Sequence, residues 1–414
     1  MSNYKGPYNI NTSVEDGSVA KFVWDSSTAA PEAALPNRLP TAVREQLYDK
    51  IRGCVLRANG TVNYYLNPLN WAQKEDGTAS VLTGADGQVM VEIPKFWFRH
   101  TRNGSQYTWE ISTVNMAGFR LHPAFIKDGK EVARRYYSAY DACLWDDSAS
   151  AYVSGTNLND MTANIDFATD KLASVKGIYP LVGVTRSQSR TLAANNGAGW
   201  RQLDFTLFSA VQMLYLVEHQ SFFSQAILGA GNTNGSYLAP SAVQTDSPHT
   251  IAGAGDAVAN GSTDATSGAG VNAKPGTSFM KYRGIENFYG NCWNWADGIN
   301  VNIGTAGTVY ITNNAADFAD NTSTNMELVT SDYPATTSYV TDLLPSEALF
   351  LAANGAGGSS TTFITDQQYK TTAINRVVFV GGNANAGAFS GAFCVGASSS
   401  STDVSRSMGT RLAY

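Results

Sequence analysis

Four histidines, His100, His122, His219 and His249, are the first places to look for chemistry. None has the HxH or HExxH spacing that sets two imidazoles on one metal ion. His219 follows Glu218 at the end of an apolar stretch. A helix C-terminus there would favour imidazolium, and a structural role is expected. Cys54, Cys143, Cys292 and Cys394 are far apart with no CxxC, which argues against zinc. Cys292 and Cys394 lie in the two stretches richest in glycine and aromatics. Two readings stand for them: a disulfide, or two buried free thiols, the default for such cysteines. No GxSxG elbow supports a Ser-His-Asp nucleophile. Polysaccharide hydrolysis would need paired carboxylates in a groove. The nearest cluster, Asp141, Asp146 and Asp147, reads as a solvated loop. These patterns lead away from bond-making; no cofactor and no metal site are expected, with calcium on the acidic loops left as an open alternative.

Composition narrows the class further. Charged residues make up 15% of the 414, well below the ~25% of an average domain. Gly, Ser, Thr, Asn and Ala fill the gap. That bias suits a rigid, loop-rich protein of the extracellular or virion type. The net charge is -6, so bulk electrostatics argue against nucleic acid or an anionic membrane as partner. No window approaches 18 continuous apolar residues, and MSNYKGPYNI does not read as a signal peptide.

The elements that must position any site centre on Tyr282–Asn302, YRGIENFYGNCWNWADGINVN. Tyr282, Phe288, Tyr289, Trp293 and Trp295 alternate there with glycines and asparagines. No helix tolerates so many of these and no plain strand needs them, so an irregular backbone carrying an aromatic plug is expected. Each ring can bury ~150–250 Å², and the indole N–H groups need Asn side chains or loop carbonyls as partners. Residues 1–38 are polar with little periodicity and read as an extended arm. A helix capped by Thr41 and ended by Gly53 comes next, with Val43, Leu47 and Ile51 on one face.

Residues 61–88 carry turn signals. Val89, Val91 and Ile93 alternate as in a strand, and Pro94 marks it as an edge strand or bulge. Asn103-Gly104 turns that region into a hairpin returning over Tyr107–Val114, and Lys127–Lys130 is a second turn. Residues 146–175 read as loop, and Pro180–Val184 as a short extended run. LDFTLFSAVQMLYLVEHQ is the strongest helix, with Asp204 as N-cap, Leu203 stapled to Phe208, and apolar residues nearly all round, hence buried. Two readings stand for the polar block 231–279, a disordered linker or an ordered surface loop, and the core segment after it favours the loop. A second polar insertion spans about 312–345. At the end, Val377–Val380, Ala392–Val395 and Arg411–Tyr414 read as strands. They are separated by two small-polar loops, Asn383–Gly391 and Gly396–Ser405.

Three motifs in order, GWRQLDFTLFSAVQMLYLVEHQSFFSQ, YRGIENFYGNCWNWADGINV and a C-terminal GAFxV…GTRLAY, resemble the C-type-lectin-fold domains of phage tail receptor-binding proteins. The phage major tropism determinant and the variable proteins of diversity-generating retroelements share that fold, as do formylglycine-generating enzymes. EIPKFWFR and GFRLHPAF are similar to the preceding part of the domain in phage fibres. The resemblance implies an α+β fold: a C-type-lectin-like (formylglycine-generating-enzyme-like) domain over 85–414 with long loop insertions. Residues 1–84, outside the resemblance, are expected to attach to the virion or to trimerise.

In that family the C-terminal segments display side chains on a scaffold fixed by the aromatic plug. Carried over, Asn383, Asn385, Phe389 and Ser390 lie on a first display segment, and Ser398, Ser399, Ser401, Thr402, Asp403 and Ser405 on a second. Trp200, Tyr282, Phe288, Trp293 and Trp295 form the supporting core. Small polar groups on tight loops give adaptable hydrogen bonding, and Phe389 offers an apolar anchor. The segments lack the Trp and Tyr common in the family, with Ala384 and Ala386 in that neighbourhood. That departure suits a glycan-like polar ligand, or a surface that is not the main binding site. A calcium-dependent sugar site would need EPN or QPD with WND, and the chain has WNW at 293–295. A formylglycine-type oxidase would need reactive cysteines, and Cys292 and Cys394 sit in apolar surroundings where thiols are inert. The resemblance therefore implies a non-catalytic, trimeric virion protein of a tail, fibre or capsid surface. Its partners would be a host receptor, glycan or protein, and other virion proteins, with many weak sites combined by avidity. The rival expectation is a structural head-fibre, decoration or baseplate protein using the fold as a spacer.

Overall fold

Residues 205–218 are mostly apolar, interrupted by Thr206, Ser209, Gln212 and Glu218, and every one of them is buried in a helix spanning Phe205–His219. A computed structural model describes residues 17–27, 39–153, 162, 164–234, 249–258, 261–263, 278–344, 348–354 and 357–414. Asp204 caps the helix as expected, its carboxylate accepting the Leu207 N–H at 2.9 Å. The same carboxylate pairs with the buried Arg135 guanidinium. Gln220 ends the helix in the left-handed region, φ 58°, its N–H donating to the Leu216 carbonyl. The helix packs against Trp293–Val301, Val19–Asp25 and Gln106–Ser112.

Around it the fold is α+β, with strands predominating. A six-stranded sheet runs in the order Arg201–Gln202, Leu412–Ala413, Arg134–Ser138, Gln88–Pro94, Arg52–Leu56, Val62–Tyr65. Alternation sorts its faces: Val89, Val91 and Ile93 join the main core with the helix, and Met90 joins a second core with Leu192, Trp200 and Leu412. Burial on both faces makes Gln88–Pro94 an inner strand, not the edge that Pro94 suggested. The proline is tolerated because it occupies the last position, opposite Arg134.

Residues 1–38 are not an arm throughout. Val19–Asp25 pairs along its whole length with Gln106–Ser112, driven by Ala20, Phe22 and Trp24 pointing inward. The rest of the expected arm, 1–16 and 28–38, lies outside the described residues. Two sheets cross the boundary expected at residue 84, so the described parts of 1–84 pack into the same cores as the residues beyond 84. The helix expected over 41–51 is shorter: Thr41–Gln46 is α-helical with Pro40 at the cap position, Tyr48–Lys50 is a 3-10 turn, and Gly53 belongs to a strand. The hairpins across Asn103-Gly104 and Asp128-Gly129 form as expected. Lys171–Ala173 within the expected loop 146–175 is a strand, and Pro180–Val184 is not one. Most of the 231–279 block, at 235–248, 259–260 and 264–277, lies outside the described residues.

The second large sheet has eight strands. Seven run in the order Glu327–Thr330, Val309–Ile311, Trp293–Val301, Arg376–Val380, Val395–Ser399, Gln367–Tyr369, Ser338–Tyr339, and Met408–Gly409 runs parallel beside Trp293–Val301. Trp293–Val301 is therefore a fully buried strand, where an irregular backbone was expected. Its glycine marks a bulge: register with Arg376–Val380 shifts between Ala296 and Asn300, and Gly298 sits at φ +72°. Arg186 and Arg190, on the helix Arg186–Ala194, brace the bulge. Arg186 donates to the Ile299 carbonyl at 2.7 Å, and Arg190 forks onto the Asp297 carboxylate at 2.5 and 2.9 Å. The second of the three expected C-terminal strands, Ala392–Val395, also moves. Ala392–Cys394 is not strand, and Val395–Ser399 is.

Candidate functional site

Sheet register brings four large side chains to one end of the eight-stranded sheet. Met408 is opposite Trp293, Phe379 is opposite Trp295, and Gly396 is opposite Phe379 with Tyr369 beyond it. Trp293 meets the Phe379 ring edge-on at 4.8 Å and the Tyr369 ring at 5.5 Å. Phe379 can lie across its neighbouring strand because that strand has a glycine there. A Cβ at position 396 would stand 1.9 Å from the Phe379 ring. Gly396→Ala should therefore destabilise the fold by about 1–3 kcal/mol through overpacking, read as a lower denaturation midpoint. A shift within error would show the ring to be freely movable.

Above these side chains opens a cleft of about 330 Å³. Trp293, Phe379 and Met408, each less than a tenth exposed, form its floor, with Tyr369 beside them. The first C-terminal segment contributes Asn383, Asn385, Ala386 and Phe389. The second contributes Ser405 and Ser407. Gly381 and Gly382, at φ +92° and +85°, turn the chain out of its strand so that the first segment can arch over the sheet end.

The ten display residues divide. Asn385, Phe389, Thr402, Asp403 and Ser405 are exposed, and Ser398, Ser399 and Ser401 are half-buried. Asn383 and Ser390 are buried and serve as braces. Asn383 Oδ1 accepts the Asn385 N–H at 3.1 Å, and the Ser390 carbonyl accepts from Gln225 at 2.8 Å. Ser398 and Ser399 lie on the strand, not on the loop expected from Gly396. Asp403 is spent on its own turn, taking the Ser400 N–H at 2.9 Å and the Ser400 hydroxyl at 2.6 Å. Burial pushes its carboxyl up, but those hydrogen bonds outweigh it and hold the group below the ordinary value. Ser401 accepts from Asn321. Of the ten, Asn383, Asn385, Phe389 and Ser405 line the cleft.

The five supporting aromatics are all buried. Trp200 Nε1 donates to the Ala58 carbonyl at 2.8 Å and Trp295 Nε1 to the Val184 carbonyl at 2.9 Å. Carbonyls rather than asparagines thus take these indoles. Asn291 instead serves the backbone and a carboxylate: its Nδ2 donates to Asp141 at 2.7 Å and its Oδ1 accepts the Thr250 N–H at 2.7 Å. Asp141 is accordingly buried rather than solvated, and Arg411 pairs with it at 2.9 Å. Trp293 has a second role that composition did not reveal, as cleft floor. Tyr369, Phe379, Ser407 and Met408 were missed. The pairing of Trp293 with Trp295 at strand spacing was the available signal for one wall. Nothing local marked Tyr369 or Met408.

Among the described residues the lining holds no carboxylate, imidazole, thiol, guanidinium or amine. The four cysteines are buried and free. Burial drives His100 down to about 4 and His122 and His249 to about 3, so these imidazoles are neutral at physiological pH. Burial also lowers His219, overriding the helix C-terminus that was expected to favour its charged form. Beneath the first segment lies Asp366, fully buried, whose carboxyl burial pushes up to about 8. It accepts the Phe393 N–H at 2.8 Å and the Thr365 hydroxyl at 3.2 Å. No protein-family model and no curated protein matches the chain.

Proposed function

We propose that this chain is a receptor-binding protein of a bacteriophage tail or fibre, with a C-type-lectin-like arrangement over residues 85–414, acting by binding without bond-making. The observation that carries the reading is the cleft, where both C-terminal segments meet over a rigid aromatic floor and leave Asn385, Phe389 and Ser405 exposed. A fixed floor with small polar groups around it costs little ordering entropy on binding. The host-surface receptor, attachment to other virion proteins and a homotrimer complete the proposal. Several copies on one particle would raise weak single-site affinity through effective concentration.

The test is competition. The purified chain should bind host cells saturably and block virion adsorption, and the double variant Asn385→Ala/Phe389→Ala should lose at least tenfold in both. If adsorption proceeds unchanged at saturating chain, the protein is a structural spacer and the reading fails.

A further inference from the structure

Resting on that reading, we propose that the cleft takes an uncharged saccharide, held by aromatic contact and amide hydrogen bonds and not through a metal ion. Size comes first. A recess of about 330 Å³ is at the small end of ligand sites, which run ~300–1,000 Å³. It suits a sugar unit better than a folded protein surface.

Chemistry decides the rest. A sugar ring presents apolar C–H faces and a rim of hydroxyls that both donate and accept. Phe389, 40% exposed, and Tyr369 offer aromatic surface to the face. The rim groups match the hydroxyls. Among the described residues the Asn385 amide makes no hydrogen bond and Asn383 Nδ2 has no partner, so donors and an acceptor are left for a ligand. Phosphate, sulfate, sialic acid or uronic acid would call for Arg or Lys, and among the described residues neither lines the cleft. A calcium-bridged sugar would call for carboxylate oxygens, and among the described residues the lining supplies none.

The experiment presents the purified chain to immobilised neutral oligosaccharides (terminal glucose, galactose, mannose or N-acetylglucosamine) and to sialylated, sulfated and uronic-acid oligosaccharides, with and without EDTA. Neutral sugars should bind at least tenfold tighter than acidic ones, with no change in EDTA. Phe389→Ala should weaken binding about five- to tenfold. Ser405→Trp, which fills the cleft from an exposed rim position, should abolish it at an unchanged melting temperature. Preference for acidic sugars, loss in EDTA, or binding that survives Ser405→Trp overturns the proposal. The receptor reading is separated by a second arm on cells. If cell binding is lost in Ser405→Trp yet no neutral sugar competes, the saccharide falls and the receptor stands. If neutral sugars bind but cells do not, the receptor reading falls and the sugar site stands.

Discussion

Replacing Arg411 by methionine is expected to lower the folding free energy by roughly 3–5 kcal/mol, enough to leave little folded protein. The guanidinium is fully buried and pairs with Asp141 at 2.9 Å. It also donates to the Glu286 and Asn287 carbonyls at 2.6 and 2.7 Å. Removing it strands a carboxylate in the interior that also holds Asn291 and Asn294. The cost comes chiefly from that uncompensated charge, so Asp141→Asn in the same chain should recover part of it. Urea midpoints of the two single variants and the double variant measure this. A single variant within 1 kcal/mol of the parent, roughly the worth of one neutral hydrogen bond, would show that the pair contributes nothing special.

The second large effect is one of pH. Asp366 and Glu286, both buried, have carboxyls pushed up to about 8, against ordinary values of 3.8 and 4.5. Burial is the leading cause for both. A folded-state value above the unfolded one means that the folded chain binds the proton more tightly. The stability this brings is complete below the unfolded value and is lost as pH rises through about 8. Each group should therefore remove about 1.4 kcal/mol per pH unit between pH 5 and 7. Asp366→Asn, a permanently neutral mimic of the protonated acid, should gain on the parent by that slope over this window and show no pH-dependent gain below pH 4. Asp204 works oppositely: held down to about 2, it adds stability that is lost as pH falls toward 2. Lys281 and Lys370, lowered to about 8 by burial, reverse the slope above that value. Denaturation midpoints of the parent and Asp366→Asn at pH 5, 6 and 7 decide the matter, and parallel curves would rule it out.

Legibility in the sequence depends on how local each signal is. Phe205–His219 is readable because its apolar surface, its Asp204 cap and its length all lie within one window. Val19–Asp25 carries an equally clear alternation in VAKFVWD, but its polar flanks mask it. The capping box at Thr185 and Gln188, which starts the helix that braces the bulge, is also a local signal, overlooked among its polar neighbours. Pro94 and Gly298 mislead for a common reason. Each suggests a property of a whole strand, when one marks the strand's last position and the other a single bulge. The cleft belongs to another class. Its floor comes from Trp293, Tyr369, Phe379 and Met408, whose meeting depends on register between distant strands. Small-polar loops pointed toward its rim but could not show which of their residues would be consumed as braces.

Met408–Gly409 lies in one large sheet and Leu412–Ala413 is an inner strand of the other, so a few residues near position 410 stitch both together. During translation neither sheet can be completed until these residues have cleared the ribosome. Acquisition of the native state must therefore wait for this stretch, and a chain truncated before it would be left with two unfinished sheets. Such a fragment would expose unpaired strand edges, open to proteolysis or to pairing with other chains.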